Sequence, residues 1–148
     1  MFYLSIERGC LQDMLPVELI GRLLLAVVLG ILVGVEREIS HRPAGLRTHA
    51  LVSLGACLFT IISIDYFDMD PARVAAGIVT GIGFIGAGSI IAEKGHVQGI
   101  TTAASLWCVA AIGLAAGVGT YVLAVISAVL VFGILWLKRA EKPLQNKD

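Results

Sequence analysis

The sequence has little charge and lacks the usual marks of a secreted or nucleic-acid-binding protein. Only 15% of its 148 residues are charged, and Lys+Arg and Asp+Glu are equal at 11 each, so we expect no nucleic acid partner. The three cysteines are odd in number and two lie in apolar stretches, which argues against a disulfide framework. Residues 1–16 contain no continuous apolar segment before a small-residue cleavage site, so we expect no removable signal peptide.

Motifs for catalysis and metal binding are also missing. The sequence has no HExxH motif and no recognisable Ser/His/Asp or Cys/His set, so we expect no catalytic residues, no metal site and no cofactor. Asp65, Asp68 and Asp70 could weakly hold a divalent cation, but their spacing matches no calcium loop. We interpret them as a solvated acidic turn.

What the sequence has in abundance is apolar residues. They make up 57% of the chain, and the mean hydropathy is +0.90. A transmembrane helix needs roughly 20 apolar residues, and five segments satisfy that rule: 17–35, 46–66, 72–92, 100–118 and 119–137. The last two are separated only by Gly117 to Thr120, and we predict a tight helical hairpin there. The fold class is therefore predicted to be all-α, a polytopic bundle of about five membrane helices.

The distribution of basic residues predicts an orientation. Lys and Arg accumulate on the cytoplasmic side of membrane proteins. With residues 1–16 outside the cell, eight basic residues lie inside and three outside; the inner ones are Arg37, Arg42, Arg47, Lys94, Lys138, Arg139, Lys142 and Lys147. We therefore expect an outer N-terminal segment (1–16), a transmembrane domain (17–137) and a cytoplasmic tail (138–148).

Glycine spacing predicts close helix packing. The pairs Gly30 and Gly34, Gly77 and Gly81, and Gly113 and Gly117 are each four residues apart, the small-xxx-small pattern that lets helix backbones approach in lipid. The third segment also carries a run of glycines that we interpret as a packing surface: Gly77, Gly81, Gly83, Gly86 and Gly88. The letters of residues 81–86 match a dinucleotide-binding motif, but no strand precedes them and no charge follows Arg73 in the segment, so we reject nucleotide binding.

Polar residues gather in the first and third connections, which the predicted topology places on the cytoplasmic face. The candidate functional residues are Glu36, Glu38, Arg42, Arg47, His49, Glu93, Thr101 and Thr102. Charges at the membrane boundary are costly and should pair inside the bundle; we expect Glu36 or Glu93 to pair with Arg47. Two readings remain open: ion pairs that lock the helices, or a vestibule that binds an ion, a proton or a partner, with His49 titrating near neutrality.

Four blocks of residues resemble the signature stretches of the MgtC/SapB family. They are Gly34 to Glu38, Arg42 to His49, Arg73 to Gly88 and Gly99 to Trp107, in the family order over roughly residues 17–137. The resemblance implies a bacterial inner-membrane protein associated with magnesium limitation and with survival in phagocytes. It also implies a regulator of membrane energetics, with the ATP synthase as a possible partner.

Two departures from the family pattern limit what the resemblance implies. Many members carry a soluble domain after the bundle, whereas the 11 residues after Leu137 are too few to form one. Thr101 stands where we expect Asn in virulence-type members, while Glu93 and Cys108 match family positions, with Cys108 on a helix-packing face. The expected partners are the lipid bilayer, other membrane proteins and, as a possibility, a second copy of the chain. Our first hypothesis is a non-enzymatic regulator; the alternative is a small transporter or channel for ions or protons.

Overall fold

The described part of the chain is a helical bundle with one small hairpin. In a computed structural model, the described residues are 16–66, 70–93 and 96–141, with side chains described in 17–65, 70–92 and 97–137. The elements are α1 (Pro16–Ile39), α2 (Leu46–Tyr66), α3 (Pro71–Gly88), β1 (Ile91–Glu93), β2 (His96–Gln98), α4 (Ile100–Val118) and α5 (Tyr121–Glu141).

The helices have the length and composition of membrane spans. α1 to α4 are each long and apolar enough to cross a membrane, and α5 has a shorter apolar span, Tyr121–Leu137. Leu24, Val28 and Leu130 are about 60% exposed on the outer surface, as expected for side chains that face lipid. The predicted all-α membrane bundle is confirmed. The expected N-terminal segment lies outside the described residues, apart from the start of α1, as does most of the tail.

Proline and glycine set several helix boundaries. Pro71 occupies the first turn of α3, where its missing N–H costs nothing, and the Asp70 side chain caps that helix by accepting a hydrogen bond from the Arg73 N–H at 3.2 Å. Gly119 ends α4 with a left-handed backbone, φ +92°, a conformation that glycine adopts without steric cost. This turn forms the tight connection that we predicted between α4 and α5.

The third helix is shorter than expected. It ends at Gly88, and Ser89 closes it by donating from its backbone N–H and its hydroxyl to the Gly86 carbonyl, at 3.0 and 2.7 Å. Residues 91–93 and 96–98 pair as antiparallel strands, with Ile91 opposite Gln98 and Ala92 opposite Val97. The apolar residues Ile91 and Ala92, which we expected to extend the helix, therefore belong to a strand.

The core lies between α1, α2 and α4. Ala26, Val33, Cys57, Val109 and Ala116 are fully enclosed there. α5 packs on this core through Ala124 and Ala128, whereas α3 buries only Ile82 and Gly86. Three helices thus form a tight centre, and α3 lies at its edge.

Candidate functional site: a buried polar cluster at one end of the bundle

A buried ion pair closes the end of α1. Glu36 and Arg37 are 4% and 1% exposed, and Arg37 donates to Oε2 of Glu36 through Nε and Nη2. The other carboxylate oxygen, Oε1, accepts from the Ser40 hydroxyl at 2.6 Å. Both charges are therefore compensated within one turn of the chain, as buried charges require.

His49 links α2 to α4. Its imidazole is fully buried; Nδ1 lies 2.8 Å from the Gly45 carbonyl oxygen and Nε2 lies 3.0 Å from the Ser105 hydroxyl. Because a carbonyl oxygen only accepts, Nδ1 carries the proton of the first bond. The Ser105 hydroxyl also lies 2.8 Å from the Thr102 carbonyl oxygen; since it has one proton, it donates to that oxygen only when Nε2 donates to it. Ser105 therefore couples the imidazole to the first turn of α4.

Glycines let the helix backbones meet around this histidine. A Cβ added at Gly34 would lie 2.7 Å from the Leu46 Cα, and one at Gly30 would lie 2.8 Å from the His49 carbonyl oxygen. On the other side of α2, a Cβ at Gly117 would lie 2.7 Å from the Thr60 Cβ, and one at Gly113 would clash with the Ser53 carbonyl. We call the five buried residues Glu36, Arg37, His49, Thr102 and Ser105 the polar cluster.

The remaining predicted site residues lie outside this enclosed centre. Glu38, Arg42, Arg47 and Thr101 are exposed, and the Glu38 carboxylate accepts from the Leu46 N–H at 3.1 Å. The expected pairing of Glu36 with Arg47 is wrong, because Arg37 takes that carboxylate in the turn that ends α1. Glu93 pairs with His96 in the strand register, but its side chain lies outside the described ones.

The first and third connections meet at this end of the bundle. Arg37 and Arg42 share a polar pocket of about 300 Å³ with Gln98, Thr101 and Thr102. Among the described residues, no group of three His, Cys, Asp or Glu side chains is placed to hold a metal ion. The chemistry that the polar cluster supports is hydrogen bonding and charge compensation.

The predicted glycine surface of α3 is divided. Gly86 packs on α4, where an added Cβ would lie 3.4 Å from the Ala103 Cβ. At Gly77, Gly81, Gly83 and Gly88, no described atom lies within 4 Å of an added Cβ. These four do not pack within the described bundle, because α3 touches α4 mainly along the line of Ile82 and Gly86. Cys108 is partly buried on α4.

A second polar group, at the opposite end of the bundle, was not among the predicted site residues. Arg22 donates to the Gly117 carbonyl at 2.8 Å, to Glu18 Oε1 at 2.9 Å and to the Tyr121 hydroxyl at 3.2 Å. It ties α1 to the turn between α4 and α5. The signal was present in the four-residue steps Glu18, Arg22, Ala26 and Gly30, which place Arg22 on the packed face of α1.

Similarity to known proteins agrees with this architecture. The sequence profile of the MgtC family matches residues 23–143. The chain is 42% identical over 127 residues to the "Putative magnesium transporter YhiD" of Escherichia coli (strain K12), covering 80% of this chain and 59% of that protein. It is 46% identical over 120 residues to "Protein MgtC" of Salmonella typhimurium (strain LT2), covering 81% and 52%.

A third relative, "Protein MgtC" of Brucella abortus (strain 2308), is 47% identical over 115 residues, covering 77% of this chain and 48% of that protein. The chain thus spans about half to three fifths of the length of these relatives. No solved structure matches it significantly. With the family profile matching most of its length and a multi-pass helical bundle of the expected kind, the chain belongs to the MgtC family.

Proposed function

We propose that this protein is a non-enzymatic regulator that docks the face of α3 carrying Gly77 and Gly81 against a transmembrane helix of another inner-membrane protein. The observation that carries the proposal is the exposure of that face. Only 11% of the α3 span is buried, against 50% of the α4 span. A glycine makes few van der Waals contacts with lipid, because it has no side chain, but it lets a second helix approach closely.

A groove beside these glycines has the character of a helix-docking site. It is about 630 Å³ in volume and runs between α2 and α3; Gly55, Gly77 and Gly81 line it together with Phe59 and Ile85. No charged residue lines it, so its occupant is apolar at membrane depth. Gly77 and Gly81 are one helical turn apart, which suits the crossing of a partner helix.

Family membership supports the physiological part of the proposal. One relative is named a putative magnesium transporter, and the resemblance implies adaptation to magnesium limitation and control of membrane energetics, with the ATP synthase as one partner to test. We place the protein in the bacterial inner membrane with the polar cluster on the cytoplasmic side. Arg37, Arg42 and Arg47 at that end support this orientation.

Site-specific photo-cross-linking in the native membrane tests the docking face. Phe59 lines the groove and is 60% exposed; Leu130 on α5 is equally exposed and lies away from it. A benzophenone amino acid at position 59 should capture one membrane protein of different sequence, and the same probe at position 130 should not. Capture of a second copy of this chain would contradict the proposal.

Two glycine substitutions provide the matched functional test. Gly81→Leu fills the groove, whereas Gly83→Leu adds the same side chain to the same helix outside it; both sites are open in the monomer. We expect Gly81→Leu to reduce the cross-link at least tenfold and to impair growth and membrane potential at low magnesium, while Gly83→Leu leaves them near wild type. Equal effects of the two variants would refute the assignment.

A second candidate function, ion or proton transport, is favoured by one specific observation. His49, Ser53, Thr60 and Ser63 form a buried polar row along α2, and neither the Ser53 nor the Ser63 hydroxyl has a partner among the described residues. The backbone contacts at Gly30 and Gly117 close this row, so conduction needs helix separation. Magnesium or proton flux in liposomes that disappears with Glu36→Gln would favour this candidate over the regulator.

A further inference from the structure

The pocket between the first and third connections has the features of an anion site. Its volume of about 300 Å³ is about ten times the roughly 30 Å³ that a water molecule occupies in the liquid. Arg37 and Arg42 enter it from the first connection, and Gln98, Thr101 and Thr102 from β2 and the start of α4. The lining is therefore basic and rich in hydrogen-bond donors.

The start of α4 supplies unpaired backbone donors to this pocket. Its N-cap is Gly99, which has no side chain to accept from the first turn, and the first backbone bond there is from the Ala103 N–H to the Gly99 carbonyl at 2.8 Å. The N–H groups of Ile100, Thr101 and Thr102 thus have no acceptor among the described residues. A helix N-terminus in this condition favours negative charge.

A buried hydroxyl gives independent support for a ligand. Thr102 is 2% exposed and lines the pocket, yet its hydroxyl makes no hydrogen bond to any described group and is not among the atoms sealed from solvent. The hydroxyl is thus open to the pocket and can donate to a ligand there. An acceptor in the pocket would satisfy it together with the amides of the same turn.

The charges at the pocket leave room for an anion. Glu36 occupies the Nε and Nη2 side of Arg37, so that pair contributes little net charge. Arg42 is exposed, and its guanidinium forms no ion pair with another described residue. Arg42 and the α4 dipole therefore provide the positive field, and Arg37 and Thr102 provide buried donors.

We propose that this pocket binds a phosphate group, held by Arg42, Arg37, Thr102 and the first-turn amides of α4. Arginine and backbone N–H groups are the donors that proteins use for phosphate. The phosphate can come from an anionic phospholipid head group or from a soluble phosphate compound, since the pocket lies where the helices end. Binding would brace the ends of α1 and α4 and so stiffen the polar cluster.

Binding measurements on the purified full-length chain test this proposal. Inorganic phosphate is titrated into protein in non-ionic detergent, with chloride at matched ionic strength as reference. In parallel, lipid retention is measured by native mass spectrometry from nanodiscs of phosphatidylcholine with or without phosphatidylglycerol. Saturable binding of inorganic phosphate identifies a soluble source, and selective retention of phosphatidylglycerol alone identifies a lipid. Either outcome supports the site if it depends on the pocket residues.

Variants decide whether the binding occurs in this pocket. Arg42→Gln should weaken it at least tenfold, whereas Arg47→Gln, which removes an exposed arginine outside the pocket, should stay within twofold. Thr102→Val keeps the side chain's shape and should weaken binding about three- to tenfold. The proposal is overturned if neither ligand binds above the chloride or phosphatidylcholine reference. It is also overturned if the two arginine variants behave alike or if Thr102→Val has no effect.

Discussion

The close contact between α1 and α2 predicts a large and position-specific penalty for adding one methyl group at Gly30. The Cβ of Gly30→Ala would lie 2.8 Å from the His49 carbonyl oxygen and 2.9 Å from both the Ala50 Cα and the Ser53 Cβ. Ordinary van der Waals contact begins near 3.4 Å, so α1 and α2 would have to separate by about half an ångström. Two of the three atoms belong to the backbone, which cannot rotate away.

The size of the penalty follows from overpacking. Extra methyl groups in a well-packed core cost about 1–3 kcal/mol, and we expect Gly30→Ala to lower the free energy of unfolding by that amount. The control is Gly81→Ala, because no described atom lies within 4 Å of its added Cβ. We expect the control to stay within about 0.5 kcal/mol of wild type, as substitutions at open positions do.

The assay is unfolding of the purified protein by SDS in mixed micelles, followed by the fluorescence of Trp107 and Trp136. Gly30→Ala should unfold at a clearly lower SDS fraction than wild type, and Gly81→Ala at nearly the same fraction. If the two alanine variants shifted the midpoint equally, the glycines of α1 would not act through the contact with α2, and the packing argument would fail.

Further predictions use the same SDS titration. Ser105→Ala leaves Nε2 of His49 without its partner and should cost about 1–3 kcal/mol, the penalty for a buried unsatisfied polar group; a wild-type midpoint would show that the bond contributes nothing. Arg37→Met leaves Glu36 as an uncompensated buried charge and should cost about 3–5 kcal/mol, with most of the loss recovered when Glu36→Met is added; the absence of recovery would contradict the ion-pair interpretation. Gly119→Ala places a Cβ at φ +92° and should cost roughly 1–2 kcal/mol; a neutral result would mean that the turn relaxes to another conformation.

The apolar segments were predictable because membrane helices must satisfy their own backbone hydrogen bonds. Pro71 and the glycines at 117 and 119 marked where the chain turns, and the observed boundaries there lie within about two residues of the expected ones. The end of α3 was not predictable from hydropathy, since Ile90, Ile91 and Ala92 are as apolar as the helix before them. Among the described residues, the Ser89 cap and the pairing of β1 with β2 mark the change from helix to strand.

The candidate site was predictable as a region but not in its pairing. The free-energy cost of placing a charge in lipid indicated that charged groups in residues 36–49 should face the bundle interior, and Glu36 and His49 do so. Neighbouring residues on a helix do not usually face each other, so Arg37 was not an obvious partner for Glu36. Ser40, just beyond α1, binds the other carboxylate oxygen of Glu36, and Ser105 could be identified only from the packing of α4 beside His49.

The packing partners of the glycines were also not predictable from the sequence. Four-residue spacing identified Gly30, Gly34, Gly113 and Gly117, all of which pack against α2. It could not distinguish them from Gly77 and Gly81, which have the same spacing but face open space. Four-residue spacing shows that a helix face allows close approach, whereas the helix that packs against that face depends on the whole bundle.

The measurement that most directly tests the proposed cytoplasmic location of the polar cluster is the sidedness of Arg42 and Gln98, which line one pocket from different connections. Single cysteines at these positions, in a chain whose own cysteines are replaced, are exposed to a membrane-impermeant maleimide in intact spheroplasts and in inverted vesicles. Both positions should react only in inverted vesicles. Reaction of either one in intact spheroplasts would contradict the account.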